Sequence, residues 1–149
     1  MATTKKLKFK KMHPNAIIPT RGSDEAAGVD LYACIDTPTT IYPGETYIIG
    51  SGVAFEPPKG YFGVLCVRSS VGIKEDLGLA NQIGIIDADF KSEIMIALHN
   101  HGNQPRTIEP NQRIAQLVLL PYLICPIEEI EELSDSIRGE NGIGSTGKF

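Results

Sequence analysis

The sequence predicts an all-β protein of short strands, and three features carry that prediction. Fifteen glycines and ten prolines in 149 residues place a turn-making residue about every six positions. The longest stretches free of both are 85–101, 1–13 and 127–138. That leaves no room for the repeated helices of about 10–15 residues needed by bundles, coiled coils and most α/β folds. The apolar runs are also short, and none approaches the roughly 18–20 residues of a membrane span. At 42% hydrophobic and 21% charged residues, this is the composition of a globule of one domain's size.

Taken in order, residues 7–18 read as a first strand and 28–35 as a second, separated by the turn-rich Thr20-Arg21-Gly22-Ser23-Asp24. Thr40-Ile41-Tyr42, then Glu45 to Phe55, flank the Pro43-Gly44 turn. Pro57-Pro58-Lys59-Gly60 turns the chain into a strand from Tyr61 to Arg68. Ile83 to Asn100 contains Ile94-Met95-Ile96-Ala97-Leu98, apolar on both faces, which predicts burial between two layers. Arg113 to Leu123 is a further strand centred on Leu117-Val118-Leu119-Leu120. In 127–137, Ile127, Ile130, Leu133 and Ile137 have helical spacing, but adjacent glutamates favour an edge strand followed by a turn. Beyond it the Gly-rich residues cannot bury a core. The expected organisation is a β domain over 1–137 and a mobile arm over 138–149.

The net charge of −4 conceals an asymmetry: Lys5, Lys6, Lys8, Lys10 and Lys11 near the start, and Glu128, Glu129, Glu131, Glu132 and Asp135 near the end. A nucleic-acid domain shows a basic face, and this balance argues against one. The Leu7-Lys8-Phe9-Lys10 alternation reads as an edge strand with lysines toward water. Cys34, Cys66 and Cys125 are odd in number and widely spaced, so they read as small buried hydrophobes in a reducing compartment. His99 and His101 have the spacing of a metal pair on a strand, with no thiol or carboxylate close in sequence. The start of the chain lacks the apolar core of a signal peptide, so an intracellular, cytoplasmic setting without membrane contact is expected.

Gly142-Ile143-Gly144-Ser145-Thr146-Gly147 satisfies G-x-G-x-x-G and, with Lys148, most of a P-loop pattern. Both motifs require a strand before and a helix after, and the chain ends at Phe149. What survives is a glycine backbone rich in N–H donors, two hydroxyls and flanking bases, suited to wrapping an anion. The alternative is a plain polar tail.

Four other stretches carry more than core residues. Ala26 to Ala33 sets Asp30 in an apolar strand, where an acid needs a partner or a metal. Val67-Arg68-Ser69-Ser70 ends an apolar strand with a guanidinium and two hydroxyls. Asn81 to Phe90 gathers an amide, a glycine, two carboxylates and an aromatic. Arg113-Ile114-Ala115-Gln116-Leu117 puts a base and an amide on a buried strand. Together with the tail, in this order, these stretches resemble the five motifs of the homotrimeric dUTPases (deoxyuridine triphosphate nucleotidohydrolases), from about Leu7 to Gly147.

The resemblance implies a small jelly-roll-like β-barrel or sandwich with at most one or two short helices. It implies a homotrimer whose active sites lie at subunit contacts, each closed by a Gly-rich arm. The implied reaction is Mg²⁺-assisted hydrolysis of dUTP to dUMP and pyrophosphate, with Asp87 activating the attacking water. Asn81 and the backbone of Gly84, Ile85 and Ile86 would hold the uracil, and Phe90, where the family usually has Tyr, would pack on the deoxyribose. Arg68, Ser69, Ser70, Gln116, Arg138, Gly144, Ser145 and Thr146 would bind phosphates, while Asp30 would reach the metal through water. Ile143 stands where the family usually has a Phe that stacks on the base. Two alternatives remain at this stage: a dCTP deaminase-like enzyme of the same fold, and a nucleotide-binding regulatory jelly roll.

Overall fold

The fold was analysed in a computed structural model that describes residues 5–137 and 139–147. Among the described residues, eleven strands and one short helix follow one another: β1 (Lys8–Lys11), β2 (Gly28–Tyr32), β3 (Thr39–Ile41), β4 (Thr46–Gly50), β5 (Val53–Glu56), β6 (Tyr61–Val67), α1 (Ser69–Glu75), β7 (Leu77–Leu79), β8 (Gly84–Ile86), β9 (Met95–Asn100), β10 (Arg106–Ile108) and β11 (Arg113–Pro121). They form sheets of order β2-β11-β6-β8 and β4-β9-β7, plus the pairs β1-β5 and β10-β3, with every pairing antiparallel. This is a sandwich of sheets with the jelly-roll fold and not a closed barrel.

Alternation explains the core. Val29 and Leu31 of β2, Leu65 of β6 and Ala115 and Leu117 of β11 are buried from one sheet. Ile49 of β4, Ile96 and Leu98 of β9 and Leu77 and Leu79 of β7 meet them from the other.

Several long segments divide where the chain changes sheet. The segment 45–55 becomes β4 and β5, in different sheets, because it bends at Ser51-Gly52. The segment 83–100 becomes β8 and β9, separated by the turn after Ile86. Only Lys8–Lys11 of 7–18 is strand, and β7 and β10 had no apolar run long enough to mark them. The Ser69-Ser70 pair after β6 opens α1, which also takes in Gly72. No strand forms over 127–137, whose apolar side chains are exposed (Leu133 is 86% accessible) and find no sheet within the chain.

The expected two-sided burial of 94–98 is also corrected: Ile94, Ile96 and Leu98 are fully buried, but Met95 is 48% exposed. The outer face of the larger sheet is likewise apolar and part-exposed, with Val64 and Val118 in register and Ile85 and Leu120 beside them.

Gly52 is required at its bend. Its φ is +72°, and a Cβ there would lie 2.6 Å from the Ala16 Cβ and 2.7 Å from the Cys34 sulfur. Gly52→Ala therefore combines left-handed strain with overpacking and should cost about 2–4 kcal/mol in urea unfolding. Gly44→Ala is the control, with φ +78° but open space around it, and should cost only about 1–2 kcal/mol. Equal losses at the two positions would show that the overlap at Gly52 relaxes freely.

Candidate active site

Many of the candidate residues named from the sequence gather at two places on the larger sheet. The first is the end where β2, β11 and β6 lie side by side. The register pairs Gln116 with Asp30 on one side and Cys66 on the other, so these three side chains share a row on the outer face. Asp30 is only 8% exposed, and a carboxylate so buried needs partners. It has two: Arg68 Nε lies 3.2 Å from Oδ1, and Arg113 Nη1 donates to Oδ2 at 3.1 Å. Arg68 follows β6 directly at the N-cap position of α1, and Ser69 and Ser70 begin that helix. Gln116 Nε2 donates to the Val67 carbonyl at 3.3 Å. Gly28 leaves room for that side chain, since a Cβ there would lie 3.0 Å from Gln116 Oε1.

Arg113 takes part because the register slips between Arg113 and Ala115, setting Arg113 opposite Tyr32. From the sequence alone Arg113 is a base on a buried strand with no task of its own. Its signal, an arginine three residues before the candidate glutamine, becomes meaningful only through the shared Asp30.

The second place is the far edge of the same sheet. β8 pairs with β6 as Leu65 with Gly84, Val64 with Ile85 and Gly63 with Ile86. Asp87 follows, and the turn closes with the Phe90 N–H donating to the Asp87 carbonyl at 3.1 Å. A cleft of about 580 Å³ opens here, lined by Phe62, Ile85, Asp87, Ala88, Asp89, Tyr122 and Ile124. Asp87 and Asp89 thus face one mostly apolar cleft, while Asn81 and Phe90 lie outside its lining. Asn81 is exposed and its carbonyl accepts from Ile83 N–H at 2.7 Å. Gly84 has a packing reason of its own, because a Cβ there would lie 2.9 Å from the Leu65 Cβ.

These two places are not brought together within one chain. Asp87 is level with Phe62, and Arg68 lies six residues further along β6, roughly 20 Å at about 3.3 Å per residue. In the tail, two turns close through Ser145 N–H to Gly142 O and Gly147 N–H to Gly144 O, both 3.1 Å, and Ile143 is fully exposed. Arg138 and Lys148 lie outside the described residues.

The remaining reactive groups are quiet. Burial pushes the Cys34 thiol up, with Glu93 and Asp36 adding to it, and burial alone raises Cys66, so both favour the neutral thiol over the nucleophilic thiolate. Cys125, expected to be buried, is exposed. The His99 and His101 rings lie 4.5 Å apart, with His99 Nδ1 2.9 Å from Thr46 Oγ1. Among the described residues no group of three or more His, Cys, Asp or Glu could hold a metal, and no helix is long and apolar enough to cross a membrane.

A jelly-roll β protein with an arginine-clamped carboxylate at one sheet end and an acidic turn at the other is the class that fold and site define. Comparison with known proteins makes this specific. The dUTPase family model matches residues 14–147. The deoxyuridine 5'-triphosphate nucleotidohydrolase of Nautilia profundicola is 44% identical over 143 residues, covering 96% of this chain and 99% of the relative. That of Escherichia phage T5 is 42% identical, covering 95% and 98%. The solved structure of Staphylococcus bacteriophage 80alpha dUTPase with dUPNHPP superposes with a TM-score of 0.87 at 29% identity, covering 96% and 99%. The chain belongs to the dUTPase family.

Proposed function

We propose that this protein hydrolyses dUTP to dUMP and pyrophosphate. The observation that carries the reading is the presence, in a chain of this family, of an arginine-clamped Asp30 at one end of the larger sheet and of Asp87 in the turn after β8 at the other. Asp87 Oδ accepts a proton from water as the water oxygen attacks the α-phosphorus. The bond from that phosphorus to the bridging oxygen breaks, and pyrophosphate leaves. A positioned carboxylate supplies typically 10²–10⁴-fold, and the rest comes from holding and neutralising the triphosphate. Arg68, Ser69, Ser70 and Gln116 bind phosphates, joined on closure by Arg138, Gly144, Ser145 and Thr146. Asn81 and the backbone of Gly84, Ile85 and Ile86 read the uracil edge, where cytosine's swapped donors and acceptors would leave buried groups unpaired. Phe90 packs on the sugar, and Asp89 serves the turn.

A resident metal cage does not fit these residues, because both Asp30 oxygens already accept from guanidinium groups. The donor set fits an ion that arrives on the substrate, since Mg²⁺ keeps several waters and prefers phosphate oxygens. A carboxylate retains lone pairs for such a water, so Asp30 is the residue that would meet it. When bound, Mg²⁺ supplies charge neutralisation to the leaving pyrophosphate.

The working unit in this reading is a homotrimer with shared sites, in which 1–137 forms the β domain and 138–149 the closing arm. Two observations support it. A triphosphate held by Arg68 of one chain falls well short of the same chain's Asp87, so a second copy must supply one of them. The chain also exposes 10705 Å² at 16.2 kDa, where a compact monomer of that mass exposes about 7,500 Å². Much of the surplus is apolar, including Leu123, Ile124, Ile127 and Ile137. A cytoplasmic location fits the three free cysteines.

The deciding experiment is pyrophosphate release from dUTP, dTTP, dCTP and UTP, with and without Mg²⁺. Turnover of dUTP alone, dependent on Mg²⁺, is expected. Ammonia release from dCTP would replace this reading with a deaminase, and tight dUTP binding without turnover would leave a regulatory protein. Ile143 covers the base without ring stacking, an interaction of about 1–3 kcal/mol per base. Ile143→Phe should therefore lower KM or raise kcat, and identical kinetics would remove base contact at this position.

A further inference from the structure

We infer that Arg113 is a positioning residue for triphosphate recognition, acting through Asp30 on Arg68; this rests on the dUTP-hydrolase reading above.

Asp30 and Arg68 alone form a neutral pair, and a neutral pair gives a polyanion little reason to approach. Worse, Asp30 Oδ2 would face incoming phosphate as an uncompensated negative charge. Arg113 Nη1 takes that oxygen at 3.1 Å, so one carboxylate is shared by two guanidinium groups and the cluster keeps a net positive charge. The shared carboxylate is nearly buried, where such interactions are screened less than in water.

The contact from Arg68 to Asp30 runs through Nε, which fixes the plane of the guanidinium group and leaves N–H groups on its terminal nitrogens for phosphate. Asp30 can hold that plane only if its own carboxylate is fixed, and Arg113 fixes it from the opposite oxygen. The register slip between Arg113 and Ala115 delivers Arg113 to that position. Arg113 is itself more exposed than Arg68, with side chains 43% and 29% accessible.

The test compares dissociation constants for the imido analogue of dUTP and for dUMP in wild type, Arg113→Gln and Arg113→Lys, with KM and kcat for dUTP alongside. Arg113→Gln should weaken the triphosphate analogue about tenfold, the effect of one charge-assisted hydrogen bond. It should weaken dUMP less than about threefold and raise KM more than it lowers kcat. Arg113→Lys, which keeps the charge, should recover most of that loss. The triphosphate affinity of Arg113→Gln should also depend less on salt than that of wild type.

Three results overturn the inference: unchanged triphosphate affinity in Arg113→Gln, equal weakening of both ligands, or an Arg113→Lys variant as poor as Arg113→Gln. Thermal midpoints check folding, and Arg113→Thr, suited to a strand position, replaces the Gln variant if that one does not fold. A wild type that releases no pyrophosphate would overturn the hydrolase reading instead, while the ligand comparison would still decide the role of Arg113.

Discussion

Asp87→Asn should bind dUTP nearly as wild type does and hydrolyse it about 10²–10⁴-fold more slowly. Asparagine keeps the size and hydrogen-bonding shape of the carboxylate but has no basic oxygen to take the proton from water. The loss should therefore fall on kcat, measured as pyrophosphate release at saturating dUTP, with KM shifted little. The neighbouring acid makes the comparison sharp. Asp87 and Asp89 line the same cleft, so position in the free chain does not rank them, and kinetics must. Asp89→Asn should stay within a few-fold of wild type. If Asp87→Asn retained full turnover, or if Asp89→Asn were the dead variant, the assignment of the base would be wrong.

Truncation after Ile137 should lower kcat/KM for dUTP by at least about 100-fold while leaving the assembly intact. In the proposed reading, the deletion removes Arg138, Gly144, Ser145 and Thr146 from the phosphates and Ile143 from the base. Hydrogen bonds to charged groups are worth about 1.5–3 kcal/mol each, so even two of them exceed a hundredfold. The assembly should survive because the exposed apolar residues of 122–137 remain. Activity assays read the first outcome and light scattering the second. A monomeric product would transfer the cohesive role to the arm, and an active trimer would remove the arm from the site.

Much of this was legible in the sequence because it is local. Frequent Gly and Pro with short apolar runs predict short strands regardless of which strands pair. The Pro43-Gly44 turn lies as read between β3 and β4, and Asp30 has the partners that an acid in an apolar strand demands. Boundaries were harder where one apolar run serves two sheets. Glu45 to Phe55 looks continuous, and only packing of Gly52 against Ala16 and Cys34 shows why it must bend. In 127–137 adjacent glutamates favour an edge strand against the helical spacing of the apolar residues, yet one chain offers the segment no strand to pair with.

By itself, the sequence determined the all-β class, the order of the five motifs and the chemistry each residue type can perform. Only the tertiary structure decided who acts on whom. Arg113 and Asp30 are 83 residues apart and meet because β2, β11 and β6 are adjacent in one sheet. Asp87 and Arg68 are closer in sequence, yet β6 holds them at opposite ends. Strand register is a long-range outcome of core burial, since a slip of one residue would turn the outer row of Asp30, Gln116 and Cys66 inward. That dependence is why residue types are readable along the chain while their partnerships are not.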